Sequence, residues 1–91
     1  MISEEKQKEL RALFNPDGSS LRKFQLDSLD VLIEVDRFCR KHSIQYWLCG
    51  GTMLGAVRHG GFIPWDDDID IDMLESEFKK FEKAVEKYGF D

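Results

Sequence analysis

From Asp66 to Met73 the chain reads Asp-Asp-Asp-Ile-Asp-Ile-Asp-Met, and few segments restrict a fold so tightly. On a strand, residues two apart share a face. Asp66, Asp68, Asp70 and Asp72 are therefore expected to point one way while Ile69, Ile71 and Met73 pack the other. Like charges a few ångströms apart repel and raise one another's pKa, so a row of carboxylates stabilises no fold by itself. The natural counter-charge is a divalent cation. Hard oxygen ligands suit Mg²⁺, Mn²⁺ or Ca²⁺, and two strand aspartates spaced by one residue can hold magnesium while leaving positions for substrate phosphates.

The charge balance points to the same place. The 91 residues carry 18 acidic and 13 basic side chains, a formal charge of -5, and the five aspartates between Asp66 and Asp72 account for all of it. Such a chain lacks the general basic patch of a nucleic-acid binder. Its length allows one domain. No apolar run approaches the roughly 20 residues of a membrane span. The first residues, Met-Ile-Ser-Glu-Glu-Lys, mix charges where a secretory signal needs apolar side chains, so a cytoplasmic location is expected. Cys39 and Cys49 form neither a disulfide framework nor a metal-ligand spacing, and read as small core residues.

Helical spacing and turn signals divide the rest. Residues 1–14 read as a short helix capped by Ser3, with Leu10, Leu13 and Phe14 apolar, in a loosely docked arm ended by Asn15-Pro16-Asp17-Gly18. Leu21 to Lys41 reads as a long helix with one face on Leu21, Phe24, Ser28, Leu32, Val35 and Cys39 and a second stripe on Leu26, Leu29 and Ile33. A helix apolar on two sides is expected to be covered on two sides. Ile44 to Cys49 reads as a strand closed by Gly50-Gly51, and Thr52 to His59 as a helix with Met53, Leu54 and Val57 inward. Phe62 to Trp65 is a loop or an edge entry, since proline cannot donate to a central ladder, and Ile69 to Met73 a second strand. Ser76 is expected to cap a last helix with Phe78, Phe81, Val85 and Tyr88 on one face and Gly89 past its end.

A strand running through Gly50 and Gly51 into a helix brings bare backbone N–H groups and the positive end of the helix toward a phosphate. Two glycines alone say little. Coupled to the aspartates that follow, they form a phosphate cradle facing a metal site, the minimum equipment for phosphoryl or nucleotidyl transfer. A calcium loop is the rival, because Asp66, Asp68, Asp70 and Glu77 fall at ligand positions of an EF-hand. Ile71, however, sits where that loop requires glycine, and Gly60-Gly61 with Pro64 breaks the entering helix. Arg58 either clamps a phosphate or simply suits a helix C-terminus. His59 is either a general base or structural, and Phe62 and Trp65 either stack on a ligand or anchor the loop.

The ungapped run from Cys49 through Gly50-Gly51-Thr52, Arg58-His59-Gly60-Gly61 and Pro64-Trp65-Asp66-Asp67-Asp68 to Ile71 resembles the signature of the LicD family, which includes bacterial phosphocholine transferases and more distantly the fukutin-related proteins. The resemblance extends over about Leu21 to Met73. It implies an α/β (α+β) nucleotidyltransferase fold of the DNA polymerase beta type, a small sheet with packed helices. Residues 1–20 then form a helical arm and residues 21–91 the N-terminal part of the domain. It also implies Asp68 and Asp70 as the catalytic, metal-binding Asp-x-Asp, Asp66 as an accessory metal ligand, and Gly50, Gly51, Thr52 and Arg58 on the substrate. Asp72 departs from the family's pattern. The implied cofactor is Mg²⁺ or Mn²⁺, the implied donor a CDP-choline-like nucleotide, and the implied acceptor a glycan such as lipopolysaccharide or teichoic acid. A non-catalytic metal- or nucleotide-binding module is the alternative. Because the family's later carboxylate lies outside this sequence, donor binding with turnover near background is expected, together with self-association through Leu26, Leu29 and Ile33. Asp68 and Asp70 are expected within about 8 Å of the Gly50-Gly51 backbone, and Asp70→Asn is expected to stabilise the metal-free protein.

Overall fold

Four helices and two very short strands follow one another in the computed structural model, which describes residues 1–90. They are α1 (Glu4–Phe14), α2 (Ser20–Lys41), β1 (Trp47–Leu48), α3 (Gly50–Arg58), β2 (Ile71–Asp72) and α4 (Glu75–Tyr88).

The Ser3 hydroxyl caps α1, accepting from the Lys6 N–H at 3.1 Å. No residue of α1 is buried, and Leu13 and Phe14 face solvent, contrary to the apolar side expected for the arm. Nor is the arm loose. The Ile2 N–H donates to the Arg58 carbonyl at 2.7 Å, and Gln7 Nε2 donates to the Phe62 carbonyl at 2.9 Å. These polar contacts dock the arm together with the ring of Phe14, which lies edge-on to Trp65.

Ser19 caps α2 in the same way, accepting from the Arg22 N–H at 3.1 Å. The core sits at the far end of this helix, where Phe38 and Cys39 pack with Ile44 and Ala84, flanked by Val35, Tyr46, Met73, Phe81 and Val85. The other half of α2 is thinly covered: Leu26 and Ile33 are 44% and 45% exposed. The molecule is accordingly extended, 45 × 25 × 16 Å with a radius of gyration of 15.3 Å, against about 12 Å for a compact chain of this length.

β1 and β2 pair antiparallel, Trp47 opposite Asp72 and Leu48 opposite Ile71. The two strands lie within the expected segments but are two residues long each. The reason lies in where the backbone donors go. Ile44 N–H returns to the Cys39 carbonyl, Gln45 N–H goes to Glu77 Oε1, and Asp70 N–H is taken by Thr52 Oγ1. Apart from the Cys49 N–H, which reaches the Asp70 carbonyl, the donors that would lengthen the ladder are bonded elsewhere, and the fold class is mainly helical with one small antiparallel sheet.

Two helices differ from expectation in detail. α3 begins at Gly50 and leaves Met53, Leu54 and Val57 exposed, Val57 by 68%. Its buried residue is Gly55, which packs on Gly61 and Ile63, so the helix meets the molecule through its smallest side. α4 starts at Glu75, and its N-cap is Leu74 without a side-chain cap, so Ser76 lies inside the first turn beside Glu75 and Glu77. Ala84, Phe81 and Val85 face the core while Phe78 and Tyr88 face solvent. The helix ends at Gly89 as expected.

Candidate functional site

β1 delivers the chain through Cys49 to the start of α3, where Gly50 takes φ +55. At this turn the backbone and two carboxylates close on each other. A Cβ on Gly50 would stand 3.3 Å from Asp70 Oδ2, and one on Gly51 would stand 2.5 Å from Asp66 Oδ2. The first position favours glycine by its backbone angle and the second by the space a side chain would take. Asp70 is clamped through its main chain, its N–H on Thr52 Oγ1 at 2.7 Å and its carbonyl accepting from Cys49 N–H at 3.1 Å.

Asp66, Asp67 and Asp68 each offer a carboxylate oxygen within 4.8 Å of the others. This cluster differs from the four-carboxylate row the alternation predicts. The chain from Asp66 to Asp70 is not strand, so the period of two does not apply. The turn closed by Asp66 N–H on the Ile63 carbonyl, 3.0 Å, gathers three consecutive aspartates instead. Asp66 and Asp68 thus come together as the sequence suggests, whereas Asp70 stands against Gly50 outside the cluster. Asp66 belongs to both groupings. Burial, and then the neighbouring Asp68 charge, hold its carboxyl above the usual range. Asp66 is half-buried and Asp67 and Asp68 are exposed, and closely set carboxylate oxygens of this kind are hard donors that suit Mg²⁺ or Mn²⁺.

Sequence reasoning missed Gln25. It is 1% exposed, and every polar position of its side chain is used. Nε2 donates to the Asp66 carbonyl at 2.8 Å and lies 3.3 Å from those of Ile63 and Pro64. Oε1 accepts from Asn15 Nδ2 at 2.8 Å and from Arg22 Nη1 at 3.1 Å. Asn15, also fully buried, accepts in turn from Ser19 Oγ at 2.6 Å. The available signal was a lone amide between Leu21 and Leu29, one helical turn from each.

Arg58 and His59 stand at the other end of α3, about 12 Å of helical rise from Gly50. Arg58 Nε donates to His59 Nε2 at 2.9 Å, and His59 Nδ1 lies 2.6 Å from Gln7 Oε1. Burial and then Arg58 hold the imidazole below its usual pKa, and its two hydrogen bonds make His59 a structural link to α1. Trp65 anchors the loop, edge-on to Phe14 with ring centroids 5.6 Å apart and to His59 at 6.2 Å. Glu77 is engaged by the Gln45 N–H and by Lys80, which removes the last ligand an EF-hand reading needs. Both cysteines are free thiols, Cys39 buried and Cys49 half-buried. Among the described residues no helix is long and apolar enough to cross a membrane.

Comparison with known proteins places this geometry. Residues 43–90 match the sequence model described as LicD/FKTN/FKRP, nucleotidyltransferase domain. The chain is 48% identical over 62 residues to the lipopolysaccharide cholinephosphotransferase LicD of Haemophilus influenzae. It is 35% identical over 63 residues to an uncharacterized protein of Rickettsia typhi, and 61% identical over 28 residues to the human ribitol 5-phosphate transferase FKRP. Those stretches cover 68%, 69% and 31% of this chain, but 23%, 20% and 6% of the respective relatives. No solved structure matches the chain. The family match spans the glycine turn, α3, the aspartate cluster and both strands, and on that ground the chain belongs to the LicD/FKTN/FKRP family.

Proposed function

We propose that this chain forms the donor-phosphate and cation-binding part of a transferase that moves a phospho-substituent onto a hydroxyl of a cell-surface glycan. In this reading the substituent is phosphocholine, carried by a CDP-choline-like nucleotide, and the acceptor is lipopolysaccharide or teichoic acid. The names of two relatives, a cholinephosphotransferase and a ribitol 5-phosphate transferase, support the general reaction. The observation that carries the reading is Asp66, set at once against the Gly51 backbone and beside Asp68.

In the proposed mechanism Asp66 and Asp68 hold Mg²⁺ or Mn²⁺, with Asp70 flanking the cradle from the Gly50 side. When bound, the cation neutralises charge on the donor diphosphate and acidifies the acceptor hydroxyl. The rest belongs to the chain itself. The free N–H groups at the start of α3 and the positive end of that helix orient phosphate oxygens. Thr52, which accepts from the Asp70 N–H, keeps its own hydroxyl proton to donate. The acceptor hydroxyl attacks phosphorus in line and gives up its proton to solvent, the phosphoanhydride bond breaks, and the nucleoside monophosphate leaves with that bond's electron pair.

Calorimetric titration with CDP-choline, with and without Mg²⁺, tests the reading on the wild type and on the Asp68→Ala/Asp70→Ala double variant. Metal-dependent binding that the double variant loses is the expected result. Calcium binding without nucleotide binding would replace it with a metal-binding module.

A further inference from the structure

Gln25 poses a physical question that the proposed chemistry leaves unanswered. A buried amide costs free energy unless its polar atoms are bonded, and a leucine would suit a helix face already carrying Leu21 and Leu29. What this position faces is a loop: the carbonyls of Ile63, Pro64 and Asp66 converge on the one Nε2 group. Those carbonyls end the segment that presents Asp66, and Asp66 is crowded by Asp67 and Asp68. Gln25 Nε2 binds this segment through its carbonyls, so the amide opposes any displacement that repulsion among the carboxylates favours.

The orientation of the amide is itself fixed. Two donors, Asn15 Nδ2 and Arg22 Nη1, occupy Oε1 and leave Nε2 facing the loop. Ser19, the N-cap of α2, fixes Asn15 by the same logic, since its hydroxyl donates to Asn15 Oδ1. A continuous relay therefore runs Ser19–Asn15–Gln25–Asp66. Its first three members precede residues 43–90, the stretch matched by the family model.

We infer that Gln25, oriented by Asn15, is a positioning residue that holds Asp66 in place between Gly51 and Asp68. The inference rests on the reading of Asp66 and Asp68 as cation ligands. Side chains that orient metal ligands typically change affinity by about 10- to 100-fold when lost, and a loss of about tenfold is expected for Gln25.

The test is Mn²⁺ affinity of the 91-residue chain, read from the free-Mn²⁺ electron paramagnetic resonance signal at a temperature where circular dichroism shows each variant folded. Gln25→Met should bind Mn²⁺ about tenfold more weakly than wild type. Phe38→Leu, which loosens the distant core without touching the loop, should bind as wild type does. Should Gln25→Met not fold, Asn15→Ala carries the same test, because it keeps the Gln25 donor but removes one of the two groups that orient it, leaving Arg22; a loss of about threefold is expected, as part of the effect above. Wild-type affinity in the relay variant, or an equal loss in Phe38→Leu, would overturn the positioning role alone. Absence of Mn²⁺ binding by the wild type, or undiminished binding by Asp68→Ala, would overturn the cation reading and this inference with it.

Discussion

Two carboxylates, Asp36 and Asp66, show how differently one chain treats the same group at its two ends. Asp36 accepts from the Tyr46 hydroxyl at 2.7 Å and from Arg40 Nε at 2.7 Å. Those hydrogen bonds, Tyr46 first, hold its carboxyl below the ordinary range. Tyr46, half-buried and hydrogen-bonded to Asp36, is pushed up to about 12. Nearby Glu77 is matched as well, by Lys80 and then the Gln45 N–H. Asp66 has the reverse surroundings, burial and a second carboxylate, and among the described residues no ion pair reaches Asp66, Asp67 or Asp68. Asp36 is thus matched by donors, whereas the aspartate cluster sets like charges side by side. In the reading proposed above, this conflict is what a bound cation would relieve.

The largest test of this contrast is thermal. If the Asp66–Asp68 conflict awaits a cation, Mn²⁺ at about 100 times its dissociation constant should add about 2.7 kcal/mol. For a domain of this size that is a rise in Tm of about 10 °C or more. Scanning calorimetry should show the rise abolished in an Asp66→Ala/Asp68→Ala variant. An Asp36→Ala variant should melt lower yet keep the full shift. Equal shifts in both variants would erase the distinction between the two ends.

What the sequence made legible divides along the same line. The Ser3 cap, the span of the long helix, the stop at Gly89 and the positions of the two strand segments followed from local chemistry and survive in the structure. The glycine turn beside aspartates was legible too, because backbone space and charge are both written in residue type. The clustering of Asp67 in place of Asp70 was not, since it depends on the Ile63–Asp66 turn, and that turn depends on Gln25, 38 positions or more away. The exposure of Met53, Leu54 and Val57 was hidden for a related reason. Helical periodicity finds an apolar stripe but does not show that Gly55 makes the close approach.

A smaller effect separates the two carboxylates without metal. Asp66→Asn removes a charge the fold resists and should raise Tm by roughly 2–4 °C, the range of a substitution worth about 0.5 kcal/mol. Asp36→Asn removes a charge the fold favours and should lower it. Their pH profiles have opposite signs as well. The raised pKa of folded Asp66 means the native state binds the extra proton first, so stability rises as pH falls through that pKa toward 3.8. Asp36, lowered in the fold, contributes stability above 3.8 that is lost as pH falls further. His59, held neutral by burial, costs stability as pH falls through 6.5. Urea midpoints of wild type and Asp66→Asn across pH 4 to 7 share the His59 and Asp36 contributions, so their difference isolates Asp66. It should close as the pH falls.

The smallest expected effect is the most discriminating about geometry. An unbroken strand from Asp66 to Asp72 would set Asp70 among equal neighbours, and Asp70→Asn would then stabilise the metal-free protein as much as Asp66→Asn. The structure separates the two residues. Asp70 is held by its main chain, N–H on Thr52 and carbonyl on Cys49, with its carboxylate against Gly50 and away from the cluster of Asp66, Asp67 and Asp68. Neutralising it relieves little repulsion and breaks none of those backbone bonds. Asp70→Asn should therefore leave the metal-free Tm within about 2 °C of wild type, the range of an ordinary surface substitution. A rise equal to that of Asp66→Asn, measured in the same buffer by the same calorimetry, would restore the four-carboxylate row and make Asp66 one carboxylate among equals.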